Sequence, residues 1–587
     1  MPADLTRSVS PSRGSDFSRN ARLVRLSIFA FGIGIVSSIG AVVLLGTIRF
    51  FTNLFFFQTL SLADRSPADA HLGLAVICIP ALGGLIVGLI ARYGSEKIRG
   101  HGIPEAIEAI LYGKSRMSPK VAVLKPLSSG IAIGSGGPFG AEGPIIMTGA
   151  AASSLIAQAF HLTSVERKAL LVAGACAGMT AIFGTPLAAM LLAVELLLFE
   201  LRPRSLLPVA LACATAGFLR LLWVGPQPLF PLDTLPPSAS AIVSCCVVGL
   251  SAGALSALMS TALYRVEDLF AHVRLHWMWW PALGGLIVGV GGYFEPRALG
   301  VGYDVIRDLL NHNLLLSAAL LLLAVKSCIW VVALGSGTSG GVLAPLLIIG
   351  AGLGSVLGAW LPGASPQLWA LCGMAAILSG TMRAPLTAVV FVFGLTHDAN
   401  AFLPTILCCA LAYGFTVMVM PRSILTEKIA RRGGHVFREY GVDPLERHFV
   451  EEVMTSSPVM IPAYLTPAEV LPAYFGPEQR HRAYPVIEGR RLLATVERST
   501  LVALGGEKLH QPLAKILASS SAPAFALKLE TCRAVALRLA ALGLERLPVV
   551  DDEKSLRVIG IVSRSDLLKP SRDLHEEESK PERLLQI

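Results

Sequence analysis

One carboxylate, Glu142, stands inside a glycine-rich stretch that separates two apolar segments. The stretch covers residues 134–144, with apolar runs from Val121 to Ile133 before it and from Pro144 to Phe160 after it. An ionisable group at membrane depth is energetically expensive and is by default functional. A helix that begins near Glu142 would present free N–H groups and a positive dipole end, which favour an anion. The pattern therefore predicts an anion site in which Glu142 competes with the anion.

The composition predicts a polytopic membrane protein. Of the 587 residues, 53% are hydrophobic and only 15% are charged, which is far from the balance of a soluble domain. The net charge of +9 comes with no RNA- or DNA-binding motif, so no nucleic-acid partner is expected. The ten cysteines are scattered and suggest packed core residues, so neither a metal site nor a disulfide framework is predicted.

Charge distribution suggests the domain organisation. Arginines crowd the polar N-terminus, residues 1–21, just before the first apolar segment, which predicts a cytoplasmic tail. Residues 22–432 form the predicted membrane domain, whose halves are about 22–224 and 238–432. Two small α/β units are predicted at 446–508 and 509–569, followed by a charged tail at 570–587. Both termini are expected in the cytoplasm.

The two halves of the membrane domain repeat each other. Residues 80–88 recur letter for letter at 281–289, and Lys125 and Gly140 match Lys326 and Gly341 at nearly the same offset. Several apolar stretches are shorter than the roughly 20 residues that a membrane-spanning helix needs, so tilted or broken helices are expected. Duplicated halves with interrupted helices place a substrate site between the repeats.

Three motifs in this repeat resemble the anion-binding motifs of the CLC chloride channels and transporters that carry a C-terminal pair of CBS domains. They read Gly-His-Gly-Ile-Pro at 100–104, Gly-Ala-Glu-Gly-Pro at 140–144 and Gly-Val-Leu-Ala-Pro at 341–345. The resemblance implies an all-α polytopic membrane fold, the CLC inverted repeat, followed by a small α/β CBS pair. It also implies a homodimer in the plasma or bacterial inner membrane, with lipid around it and one path per subunit for chloride or another small anion. The anion-binding positions carried over are His101, Gly102, Ile103, Gly140, Ala141, Glu142, Gly143, Val342, Leu343 and Leu425.

Within this resemblance Glu142 matches the gating glutamate, whose deprotonated side chain occupies the anion path. Two usual side-chain donors are changed, since His101 replaces a serine and Leu425 replaces a tyrosine. His101 either donates a ring N–H to the anion or points away and bonds to backbone. Lys125 is either a source of positive potential or a partner for a buried carboxylate or carbonyl groups.

The proton pathway of the family's antiporters is altered in this chain. The family helix that ends in two glutamates reads Glu195 and Leu196 here, and leucine cannot relay a proton. This favours passive conduction. A chloride/proton antiporter remains the alternative, with Glu195, Glu200 or His101 and water as the relay.

The C-terminal units resemble paired CBS domains, the first beginning at 450–454. By that resemblance Ser563 and Asp566 would contact an adenine nucleotide, whereas the first unit has Glu497 and Thr500 at those places. At most one nucleotide site is implied, and a packing role without ligand is the other interpretation. No cofactor is required and no enzymatic activity is predicted. The alternative from another class is a nucleotide-sensing CBS protein with a degenerate membrane domain.

Overall fold

The computed structural model describes residues 21–434, residues 444–570 except 477, 480, 505 and 519–522, and residue 572. The predicted N-terminal tail and the predicted charged C-terminal tail lie almost wholly outside these residues. The described chain forms two compact units that divide after residue 434.

The regular elements that the structure describes in the first unit are helices. Its first half contains α1 (Ala21–Phe57), α2 (Cys78–Tyr93), α3 (Ile103–Leu111), α4 (Pro119–Gly134), α5 (Glu142–Gln158), α6 (Ser164–Phe183), α7 (Pro186–Leu192) and α8 (Pro203–Arg220). Its second half contains α9 (Ala241–His272), α10 (Trp280–Phe294), α11 (Tyr303–Leu310), α12 (Leu316–Gly335), α13 (Leu343–Gly358), α14 (Pro366–Met382), α15 (Pro385–Thr396), α16 (Phe402–Val419) and α17 (Ile424–Arg431). A π-helical turn, Ala193–Leu198, extends α7.

Helix length and burial separate an outer set of helices from an inner set. Among the residues that the structure describes, five helical segments are long and apolar enough to cross a membrane: Leu23–Phe57, Gly73–Tyr93, Ala241–His272, Leu316–Gly335 and Phe402–Arg431. These segments keep broad apolar faces exposed, as expected where lipid replaces water. The helices α5, α6, α13 and α14, which have 16 to 20 residues, are almost wholly buried among them. Broken helices therefore occupy the centre, as the short apolar stretches predict.

The sequence repeat is a spatial repeat. The two identical segments lie on α2 and α10, which pack against each other. A Cβ atom on Gly84 would collide with the carbonyl of Pro281, and one on Gly285 would collide with the carbonyl of Pro80. The same contact thus occurs twice with the halves exchanged, as a pseudo-twofold relation requires, and only glycine permits the approach.

The second unit contains two small α/β halves. Its helices are α18 (Pro444–Arg447), α19 (Val450–Val453), α20 (Pro467–Phe475), α21 (Arg498–Val502), α22 (Leu513–Leu517) and α23 (Cys532–Leu542). Its strands are β1 (Thr455–Ser456), β2 (Ile461–Pro462), β3 (Ala483–Glu488), β4 (Arg491–Glu497), β5 (Ala526–Leu527), β6 (Arg546–Val550) and β7 (Val558–Ser563). One sheet has the order β2-β3-β4 and the other β1-β7-β6-β5, and in each half a parallel pair is followed by an antiparallel pair.

The first segment of this unit packs differently from the prediction. Val450 and Val453 lie in the core of the second half with Leu547 and Val562, and β1 pairs with β7. The sequence places this segment at the start of the first half. The reason is that Val450 and Val453 bury their apolar side chains in the core of the second half, and chain order does not dictate which sheet a segment joins. The helical first unit and the α/β second unit otherwise match the predicted fold class.

Candidate anion-transport site

The helix break at Glu142 forms where the sequence predicts it. The preceding helix α4 ends at Gly134, and α5 begins at Glu142 with Ala141 as its N-cap. Gly136 has φ 95°, a left-handed conformation that glycine adopts without strain. Pro144 lies in the first turn, where a missing N–H leaves no intrahelical bond unmade. The local chemistry of the stretch therefore sets the chain break and the helix start.

Three helix starts meet at this break. The Gly140 N–H donates to the carbonyl of Gly341 at 3.2 Å, and the Gly341 N–H donates back at 2.9 Å. A Cβ on Gly143 would collide with the His101 carbonyl, so the loop before α3 lies directly against the start of α5. The N-caps of α3 and α13 are Gly102 and Val342. The structure thus brings the three predicted motifs together.

The Glu142 side chain is completely buried among these helix starts. Neither carboxylate oxygen has a hydrogen bond of ordinary geometry among the described residues. The groups that face the carboxylate are the backbone amides of Glu142 itself and of Ala344, in the first turns of α5 and α13. A Cβ built on Gly341 would lie 2.9 Å from its Oε2 atom. The carboxylate therefore occupies the place where backbone amides would bind an anion.

The start of α3 is less available to an anion than the motif suggests. The predicted anion donor Gly102, the N-cap of α3, gives its N–H to Glu105 Oε2 at 3.0 Å. Glu105 Oε1 lies 3.3 Å from Lys428 Nζ and 3.2 Å from an Arg432 guanidinium nitrogen. The other predicted residue of this turn, Ile103, is fully buried. An internal carboxylate thus already satisfies the amide at this helix start.

The His101 ring lies beside this helix start with no partner. It is 1% exposed, and neither ring nitrogen has a hydrogen bond among the described residues. The interpretation in which His101 bonds to backbone is therefore not what the structure shows. Its charged neighbours are Lys428, Glu105, Lys125 and Arg432.

A cavity of about 900 Å³ reaches His101. Basic and acidic side chains are mixed along its wall. The basic residues are Lys97, Arg99, Arg116, Lys428, Arg431 and Arg432, and the acidic residues are Glu96, Glu105, Glu108, Glu267 and Asp268. Four of these acidic groups, namely Glu96, Glu105, Glu108 and Asp268, are held in ion pairs with arginines or the lysine of the same wall. His101 thus lines a cavity whose charged groups are largely paired with one another, while its two ring nitrogens are themselves buried.

The remaining predicted contacts are apolar side chains. Leu343 and Leu425 are buried, and Leu425 lies in the first turn of α17. A hydroxyl group is nevertheless present at this turn, because Tyr264 on α9 donates to the carbonyl of Ile424. Neither leucine can donate to an anion, so backbone amides and His101 are the polar groups left at the predicted site.

Lys125 and its repeat counterpart Lys326 both donate hydrogen bonds to backbone carbonyl groups. Lys125 Nζ donates to the carbonyls of Ile98 and Gly100 at 2.8 and 2.7 Å, and to the Ser339 hydroxyl at 3.0 Å. Lys326 Nζ donates to the carbonyls of Ala298 and Gly300 at 2.8 and 3.0 Å. In each half, therefore, a buried lysine holds the Gly-X-Gly loop. Of the two interpretations of Lys125, the structure shows the one in which the ammonium group is a partner for carbonyl groups.

Glu195 serves as a cap for another helix. Its Oε2 atom accepts from the Thr387 N–H at 2.7 Å and from the Thr387 hydroxyl at 2.6 Å, and its Oε1 atom accepts from the Leu386 N–H at 3.2 Å. These donors lie in the first turn of α15, where N–H groups have no intrahelical acceptor. The neighbouring Leu196 is fully buried. The predicted relay carboxylate is thus committed to a structural bond network.

The two residues predicted to contact a nucleotide lie together in the second unit. The Ser563 hydroxyl donates to Asp566 Oδ2 at 2.6 Å, and Lys569 Nζ lies 2.7 Å from Asp566 Oδ1. Hydrogen bonds from Lys569 and Ser563 hold the pKa of Asp566 below its usual value, although burial acts in the opposite direction. The two predicted nucleotide contacts are thus bonded to each other.

Comparison with known proteins identifies the membrane unit. The family model described as voltage gated chloride channel matches residues 83–417, and a CBS domain model matches residues 528–572. The chain belongs to the CLC chloride channel family. A ClcB-like chloride channel protein of Ralstonia nicotianae is 31% identical over 375 residues, which cover 62% of this chain and 87% of that protein. The voltage-gated ClC-type chloride channel ClcB of Escherichia coli is 30% identical over 364 residues, covering 60% and 85%.

Solved CLC structures share the fold. A slow cyanobacterial Cl⁻/H⁺ antiporter superposes with a TM-score of 0.62 at 20% identity, covering 71% of this chain and 99% of that one. A eukaryotic CLC transporter superposes with a TM-score of 0.62 at 18% identity, covering 93% and 98%. The second superposition extends over most of the C-terminal unit as well. The predicted CLC fold with a C-terminal CBS pair is confirmed.

Several residues at this CLC site carry no signal in the sequence. Glu105, Lys428 and Arg432 form one charged cluster although more than 300 positions separate the first from the other two. Tyr264 reaches α17 from α9. A basic helix end such as 428–432 is normal at a membrane surface, so only the folded chain shows that it faces the anion motif.

Proposed function

We propose that this CLC protein moves chloride across the membrane along a path gated by Glu142. The observation that carries the proposal is the buried Glu142 carboxylate, which lies against the first turns of α5 and α13 with backbone amides facing it. The same amides attract chloride, so carboxylate and chloride compete for one place. Protonation removes the charge that holds the carboxylate there, and the path can then open.

The proposal includes the assembly and the membrane. The curated relatives are bacterial, which supports the inner membrane as the location. The arginine-rich N-terminus supports cytoplasmic termini. A homodimer with one anion path per subunit follows from the resemblance to the family.

Coupling of chloride to protons is the favoured mode of transport. Two solved relatives of this fold are described as a Cl⁻/H⁺ antiporter and a fluoride/proton antiporter. Of the three residues that could replace the missing relay, Glu195 is bonded to α15 and Glu200 accepts from Ser205 at 2.6 Å. His101 alone of the three has no hydrogen-bond partner among the described residues. It is also one of the residues that line the cavity, so His101 with water is the relay that we propose for this mode.

Passive conduction is the second candidate. Leu196 leaves no titratable group at the family's second glutamate position, and the buried leucine closes that position to water. The curated relatives are named as chloride channels. In this mode Glu142 gates the path but no proton crosses the membrane.

The experiment that tests the proposal uses the full-length protein in liposomes. An imposed chloride gradient at controlled potential is applied while chloride and proton movement are recorded together. Uphill proton movement driven by chloride supports exchange, and chloride movement without protons supports the passive mode. No movement of chloride in either direction overturns the proposal and directs attention to the CBS pair as a nucleotide sensor.

A further inference from the structure

The start of α11 is the repeat counterpart of the His101 loop. Gly300-Val301-Gly302-Tyr303 takes the place in the second half that Gly100-His101-Gly102-Ile103 takes in the first. Gly302 has φ 76° and is the N-cap of α11, so Tyr303 is its first helical residue. One loop carries the unpartnered His101 and the other carries Tyr303.

The Tyr303 ring is held in place by aromatic side chains. Its centroid lies 6.3 Å from that of Phe183, with an edge-on angle of 82°, and 6.1 Å from that of Phe230 at 62°. Such edge-to-face pairs stabilise a defined ring orientation. The hydroxyl group is buried and has no hydrogen-bond partner among the described residues. A buried donor without a partner is costly and rare, so this one calls for a partner that is absent in the present arrangement.

Glu142 is the charged group that acts most strongly on the Tyr303 hydroxyl, ahead of Asp64. The helix α11 itself carries Asp304, Arg307 and Asp308, and the ammonium group of Lys326 is bonded to the carbonyls of the same loop. The helices α13 and α14, which pack against α11, carry no carboxylate, amine or guanidinium group. Within the described part of the chain, both oxygens of Glu142 also lack a partner of ordinary geometry. Two buried polar groups, each unpaired, thus lie within electrostatic reach of each other.

We propose that the Tyr303 hydroxyl is the hydrogen-bond partner of the Glu142 carboxyl group after it leaves the helix starts. In the displaced position the Tyr303 O–H donates to a carboxyl oxygen, and each group gains the bond that it lacks in the closed arrangement. Tyr303 is therefore a positioning residue that stabilises the open gate. The inference rests on the gating role proposed for Glu142.

The test measures chloride flux through the full-length protein in liposomes as a function of pH. Tyr303→Phe keeps the ring and its aromatic contacts and removes only the hydroxyl. Because the open gate then loses one hydrogen bond, a lower pH is needed to protonate Glu142 and open the gate to the same extent. The pH of half-maximal flux is expected to move toward acid by about 0.7 units, the shift that one bond of ordinary strength produces. Tyr293→Phe, at an exposed tyrosine of α10, is the matched control and should leave the profile in place.

A double variant separates this inference from the gating proposal. Glu142→Ala alone should abolish the pH dependence, and adding Tyr303→Phe to it should change the flux no further. A flux reduction by Tyr303→Phe that is equal with and without Glu142 would assign the tyrosine a purely structural role and overturn the inference. An unshifted profile in Tyr303→Phe, together with a lost pH dependence in Glu142→Ala, would overturn the inference and leave the gate intact. A pH dependence that survives Glu142→Ala would overturn the gate itself.

Discussion

Gly140 and Gly341 form a reciprocal backbone pair, with each amide donating to the carbonyl of the other. One glycine belongs to the break of the first repeat and the other to the break of the second. Side chains at either position would meet the Glu142 carboxylate or the opposite backbone. This pair joins the two helix breaks into one site, and the expected behaviour of the site follows from it.

Replacement of the gate should remove pH control. In Glu142→Gln the side chain is neutral at every pH, so it cannot compete with chloride for the backbone amides as a carboxylate does. We expect chloride flux that no longer rises as pH falls, and the same in Glu142→Ala. Flux measured in liposomes between acid and neutral pH checks this. Glu553→Gln, at an exposed turn of the second unit, should behave as the unchanged protein, and a normal pH profile in both Glu142 variants would refute the gating role.

Substitution of His101 should alter anion preference. His101→Ser restores the hydroxyl that the family has at this position, and His101→Ala removes any donor. Loss or gain of one hydrogen bond to the anion is expected to change the chloride-to-nitrate flux ratio by about fivefold. The control His161→Ser changes an exposed histidine. Equal ratios in all four proteins would show that the ring does not touch the anion.

Glu195 should matter for stability more than for protons. In Glu195→Ala the amides of Leu386 and Thr387 lose their acceptor inside the protein. The free energy of unfolding should fall by about 1–3 kcal/mol, seen as a lower melting temperature in detergent. The ratio of chloride to protons should stay as in the unchanged protein. Lost coupling at an unchanged melting temperature would instead make Glu195 the relay.

The two buried lysines should respond alike. Lys125→Met and Lys326→Met each leave loop carbonyls without a donor, so both should lower the melting temperature. The chloride concentration for half-maximal flux should change little in either. Each variant serves as the other's control, because the two lysines make the same contact in opposite halves. A weakened chloride dependence in Lys125→Met alone would reveal a long-range electrostatic role for that lysine.

Acid should weaken the end of the second unit through Asp566. Its pKa lies below the usual value, so the stabilisation is present above the unfolded pKa of about 4 and is lost as pH falls through the folded value. In Asp566→Asn the amide hydrogen exchange of β7 should be faster than in the unchanged protein at neutral pH. The difference should vanish in strong acid. A difference that persists at every pH would point to packing and not to the charge.

Much of this protein follows from its sequence alone. The exact repeat of residues 80–88, the glycine-rich breaks and the lone Glu142 predict paired halves, broken helices and an anion site, because these features depend on local backbone preference and on the cost of burying charge. The CBS-like strands likewise follow from short apolar alternation.

Other properties of the site are decided only by the tertiary structure. Glu195 could be a relay or a cap, and His101 could face the anion or the backbone, until the positions of α15 and α3 are fixed. The charged cluster around Glu105, the hydroxyl of Tyr264 at α17 and the unpaired hydroxyl of Tyr303 all depend on packing between distant segments. Hydrogen bonds and ion pairs require partners within a few ångströms, and no spacing along the chain specifies which partners packing brings that close.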